Sequence, residues 1–102
     1  MPKFIASYDL TSMTPSPHSE FITQSRKLGW LPWILSRNDL WYRLPNTTLV
    51  GTFATREAAV AALKQARENA SAEIGKKIVM EKWIVAEYSG ASFDSDETQK
   101  KS

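Results

Sequence analysis

Residues Lys3 to Leu10, KFIASYDL, are the stretch on which the rest of the chain is arranged. Phe4, Ala6, Tyr8 and Leu10 alternate with Ile5, Ser7 and Asp9, the period-two pattern of a strand with one strongly apolar side. Ile5 adds an apolar group to the other side, and a strand apolar on both sides reads as the centre of a sheet. Asp9 is the acid at the strand's end.

Outward from that strand, Thr11 to Pro17 is a polar, proline-punctuated loop that no strand continues through. Ser16 is placed to cap a helix, Pro17 suits its first position, and Glu20 complements the dipole of the first turn. The helix is expected over 17–28, with Phe21, Ile22, Ser25 and Leu28 inward and Gly29 as a left-handed terminator. Trp30 to Leu35 reads as a strand, with Pro32 favouring an edge position. Ser36-Arg37-Asn38-Asp39 is either a bend or a hairpin turn, and Leu40 to Leu44 is again extended. After the Pro45-Asn46 turn, Thr47 to Phe53 is a strand rich in β-branched residues.

Thr55 caps a second helix in which Ala59, Val60, Leu63, Ala66 and Ala70 recur at helical spacing. Ile78 to Tyr88 is the last expected strand, with Ile84, Ala86 and Tyr88 on one side and Val79, Trp83 and Val85 on the other. The order strand, helix, strand, strand, helix, strand predicts an α+β, ferredoxin-like βαββαβ domain over residues 1–90, an antiparallel sheet with two helices on one face. Residues 91–102 are polar and are expected to form a disordered tail, with Phe93 as its one candidate for docking. Two helices leave the other face of the sheet open. Ile5, Val79, Trp83 and Val85 on that face would form an apolar patch and thus a homodimer interface, built on the sheet or on its last strand.

The 102 residues suffice for one domain, and the absence of Cys excludes disulfides, thiolate metal sites and a Cys nucleophile. No apolar run is long enough to span a membrane, and the N-terminus is too polar for a signal peptide, so a cytoplasmic protein is expected. The net charge of +2 is too small to mark a nucleic-acid binder by itself. The placement of the bases says more. Trp30, Trp33, Trp41 and Tyr42 interleave with Arg26, Lys27, Arg37 and Arg43, the residue types with which sheet-based RNA-binding modules stack bases and hold phosphates. Arg37, Arg43 and Trp41 are the candidate nucleic-acid-binding residues, against the alternative that these aromatics only pack a core. No glycine-rich phosphate loop and no serine, histidine and aspartate arrangement is legible. His18 is the sole histidine, either a general base near Asp9 or an exposed helix-start residue.

Tyr8-Asp9-Leu10 near the N-terminus together with Leu28-Gly29 resembles a group of small ferredoxin-like bacterial and phage proteins. They include the SinR-like proteins, the virulence-associated protein D toxins and the small CRISPR-associated adaptation nuclease. The resemblance implies that Asp9 lies near a dimer axis, where two copies hold Mg²⁺ for phosphodiester cleavage. The long uncharged loop after Asp9 departs from the nuclease pattern, and Asp9 has a second reading as a residue that caps that loop. The function expected is a non-catalytic dimeric binding or assembly module without a cofactor, with RNA or DNA as its candidate ligand and another protein as a further possible partner. The alternative is a metal-dependent endonuclease, RNase or DNase, with Asp9 as catalytic and metal-binding residue.

Overall fold

The computed structural model describes residues 1–101 and forms β1 (Lys3–Leu10), α1 (His18–Lys27), β2 (Trp30–Leu31), β3 (Trp33–Leu35), β4 (Leu40–Arg43), β5 (Thr48–Thr52), α2 (Arg56–Ile74), β6 (Met80–Tyr88) and β7 (Thr98–Lys100). The chain is α+β with antiparallel sheets. Its elements do not follow the expected βαββαβ count: the described strands make a four-stranded sheet, β2-β5-β1-β6, and a three-stranded one, β3-β4-β7.

Pro32 is the reason for the second sheet. It interrupts the stretch expected to be one strand and carries no N–H to continue a ladder, so pairing of β2 with β5 stops at Leu31 and the chain leaves as β3. The Pro32 carbonyl instead accepts the Leu44 amide at 2.9 Å and the Arg43 guanidinium at 3.0 Å. The 36–39 stretch is a hairpin turn. β3 and β4 pair antiparallel across it, Asp39 takes a left-handed φ of 59°, and Ser36 N–H donates to the Leu40 carbonyl at 2.8 Å.

β1 lies between β5 and β6, as its two-sided composition predicts. Phe4, Ala6, Tyr8 and Leu10 are buried, and both helices share their core: Phe21 from α1, and Ala59, Leu63, Ala66 and Ala70 from α2. Trp30 is fully buried and donates its indole N–H to the Ala59 carbonyl at 3.1 Å, tying β2 to α2. Thr55 caps α2 by accepting the Ala58 amide at 3.0 Å, and Gly75 ends it at a left-handed φ of 79°. At α1 the cap sits one residue later than expected. Pro17 is the N-cap residue and the Ser16 hydroxyl accepts the His18 amide at 3.5 Å.

The tail expected to be disordered from 91 onward carries β7, which pairs with β4 from Leu40–Lys100 to Tyr42–Thr98. Ser102, the last residue of that expected tail, lies outside the described residues. Among the described residues no helix is long and apolar enough to cross a membrane.

Candidate nucleic-acid interface

The register of β1 assigns every neighbour to a side. Directly paired residues in an antiparallel sheet share a face, so the outer side holds Ile5 with Val50 and Ala86, Ser7 with Thr48 and Ile84, and Asp9 with Lys82. Trp83 pairs with Tyr8 and Val85 with Ala6, which puts both on the inner, helix-covered side. The expected outer patch of Ile5, Val79, Trp83 and Val85 is therefore not formed. A β-bulge is the cause: Leu10 pairs with Met80 and Asp9 with Lys82, so Glu81 is an extra residue and the alternation along β6 changes phase there. Trp83 remains 40% exposed with the Lys64 ammonium 5.4 Å from its ring.

The two ends of the outer side differ. Val50 is buried although it points outward, because β3 lies against β5, whereas Ile84 near the β6 edge is 62% exposed. Alongside the covered end runs a cleft of about 1100 Å³. Its walls include Leu31, Val50, Thr52 and Tyr88 of the larger sheet, Trp33, Trp41 and Tyr42 of the hairpin, and Phe93 from the chain beyond β6. Lys3 and Arg37 are its cationic lining residues.

Local structure explains each position. Trp33 and Trp41 occupy the same side of the hairpin because Trp33 pairs with Arg43 and Leu35 with Trp41. All three hairpin aromatics are half-buried. Tyr42, on the other side of β4, meets Phe93 edge-on at 5.4 Å between ring centroids. Arg37 sits at the exposed hairpin tip. Lys3 enters from the start of β1 with its ammonium 6.0 Å from the Tyr88 ring.

Of the residues singled out in the sequence, Arg37 and Trp41 come together in the cleft. Arg43 does not line it. Its guanidinium donates to the Pro32 carbonyl and stands 5.9 Å from the Trp33 ring, so it braces the hairpin at the junction between β2 and β3. Burial pushes the Tyr8 phenol up to about 12, and the positive charge of Arg43 pulls the other way. Burial also raises the Tyr88 phenol.

No family model, curated protein or solved structure matches this chain. Asp9 lies outside the large cleft, in a shallow depression of about 270 Å³ with Ser7, Tyr8, Lys82, Trp83 and Ile84. Its paired neighbour is a lysine, and among the described residues no three His, Cys, Asp or Glu side chains are grouped to hold a metal ion. In the loop after Asp9, the Thr11 amide donates to the Val79 carbonyl at 3.0 Å. His18 opens α1 and lines neither surface.

Lys3, Tyr88 and Phe93 are lining residues that sequence reasoning did not assign to the site. Lys3 and Phe93 lie at opposite ends of the chain, and only the sheet pairing brings them to one cleft. Phe93 carried a signal of its own, as the lone large apolar residue in a polar stretch.

Proposed function

We propose that this chain is a cytoplasmic, non-catalytic module that binds single-stranded nucleic acid in the cleft between its two sheets. The observation that carries the reading is the convergence of half-exposed Trp33, Trp41 and Tyr42 with Lys3 and Arg37 around one cleft. Rings supply sequence-tolerant stacking worth about 1–3 kcal/mol per base, and the cations supply a salt-dependent hold on phosphates. Duplex DNA keeps its bases stacked inside and would leave the rings unused. The order β2-β5-β1-β6 supports reading the larger sheet as a ferredoxin-like unit, with the β3–β4 hairpin inserted between its second and third strands.

A homodimer formed by pairing β6 with its symmetry mate belongs to the same proposal. β6 is an edge strand of nine residues, long enough to template another strand. Such a dimer argues against the nuclease alternative: it would separate the two β1 strands by three interstrand spacings, about 14 Å. Two Asp9 carboxylates at that distance do not share an Mg²⁺ whose oxygens sit at about 2.1 Å.

The test is fluorescence anisotropy of a labelled single-stranded oligonucleotide titrated with the full chain at two salt concentrations. Saturable binding that weakens with salt and with Trp41→Ala supports the reading. Absence of binding, or binding indifferent to both, refutes it.

A further inference from the structure

We propose that the acidic C-terminal segment from Phe93 to Glu97 is an internal competitor for the cleft, occupying the Tyr42 end until a single strand displaces it. The proposal rests on the reading of the cleft as a nucleic-acid site and assigns that site a regulator within the same chain.

Four observations converge on the segment. Phe93 sets its ring edge-on against Tyr42 at 5.4 Å, so one of the rings offered to a base is already in contact with an aromatic side chain of the same chain. Asp94, Asp96 and Glu97 follow it directly, so the segment couples a ring to closely spaced negative charges, as a single strand couples bases to phosphates. It is anchored on β4, the strand that bears Trp41 and Tyr42: the Arg43 amide donates to the Glu97 carbonyl at 3.0 Å and the Lys101 amide to the Asp39 carbonyl at 3.0 Å. The anchor is slight. β7 has three residues, all exposed and polar, and Phe93 itself is 36% exposed.

A strand with no buried side chain is held by its backbone bonds alone and belongs to the low-stability end of local opening. Removal of the segment frees the Tyr42 ring from Phe93 and withdraws the three carboxylates that follow Phe93 in the chain. Both effects favour a polyanion with aromatic bases. The unliganded protein thus keeps Tyr42 engaged with Phe93, and the ligand must repay the loss of that contact.

The experiment compares the full-length wild-type chain with Phe93→Ala and Gln99→Pro, using anisotropy of a labelled oligothymidylate. Bonds at Arg43 and Lys101 place Gln99 at the alternate, hydrogen-bonded position opposite Trp41, so proline there removes a ladder donor without touching the cleft. Each variant is expected to bind roughly two- to ten-fold more tightly, the range of one aromatic pair released. Backbone hydrogen exchange gives a readout free of any ligand: the Lys101 amide is expected to exchange far faster than the Tyr8 amide, which donates to the Thr47 carbonyl at 3.1 Å. Salt-sensitive binding by the wild type with equal or weaker binding by both variants overturns the competitor while leaving the cleft assignment standing. A Lys101 amide as protected as that of Tyr8 also overturns it. Failure of all three proteins to bind overturns the cleft assignment and the competitor with it.

Discussion

Gly51→Ala tests how tightly the junction behind the cleft is built. Gly51 lies in β5 opposite Phe4 on one side and Trp30 on the other. A Cβ there would stand 2.6 Å from the Gly29 carbonyl oxygen and 2.6 Å from Cε2 of Phe53. The ring has little room to retreat, with Trp30 at 4.9 Å and Phe4 at 6.4 Å between centroids. The carbonyl belongs to a residue held at φ 102° at the entry to β2. Overpacking of this kind costs about 1–3 kcal/mol, offset by about 0.4–1 kcal/mol from the smaller entropy of the unfolded alanine chain. Because one of the two close contacts is with backbone, the upper half of the overpacking range applies and the net loss should be about 1–2.5 kcal/mol, or roughly 5–20 °C in Tm for a domain of this size. Urea unfolding followed by Trp fluorescence measures it, with an unchanged m-value marking a native-state effect. Gly90→Ala, whose Cβ would meet nothing within 4 Å, is the neutral control. An unfolding midpoint for Gly51→Ala equal to or above the wild type would refute the packing described at this junction.

Tyr8 links stability to alkaline pH. Its folded pKa of about 12 exceeds the ordinary 10.0, so its contribution is complete below pH 10 and is lost as pH rises toward 12, where the unfolded phenol ionises first. The loss is on the order of 2–3 kcal/mol, and ultraviolet titration should show two of the three tyrosines, Tyr8 and Tyr88, ionising above the ordinary phenol range. Ser25 is fully buried in α1 with a hydroxyl that has no hydrogen-bond partner, so Ser25→Ala should leave stability unchanged or raise it by up to about 1 kcal/mol in urea titrations. The two arginines should separate: Arg37→Ala weakens oligonucleotide binding and lowers its salt slope by about one unit without changing Tm. Arg43→Ala, which removes the bond to the Pro32 carbonyl, lowers Tm by roughly 5–15 °C, the effect of about 1–2 kcal/mol.

The parts of the fold legible in the sequence are those with a local signal. Strict alternation from Phe4 to Leu10 marks the central strand, and the alanine-rich stripe of α2 with Thr55 and Gly75 at its ends marks a helix. The second sheet had no comparable signal. Pro32 was legible as an edge residue but not as the point where the chain changes sheets, because that depends on the Leu44 and Arg43 donors awaiting its carbonyl. The phase of β6 was misread because a bulge at Glu81 leaves no mark in an alternating pattern. β7 buries nothing, so a polar tail that pairs with β4 reads like one that does not. In the site, Arg37 and Trp41 were legible from the interleaving of bases with aromatics. The bracing role of Arg43 and the arrival of Lys3 and Phe93 depend on contacts between segments distant in sequence.

The measurement that bears most directly on the cleft is the affinity of the full chain for a single-stranded oligonucleotide as a function of salt, for wild type and Trp41→Ala. One phosphate contact at each of Lys3 and Arg37 predicts a log–log salt slope of about −1.4. Loss of one stacking ring predicts binding roughly 5- to 150-fold weaker in the variant, with the Tm little changed. A flat salt dependence together with equal affinity of the two proteins would contradict the assignment, and Trp41 would then be a packing residue of the hairpin.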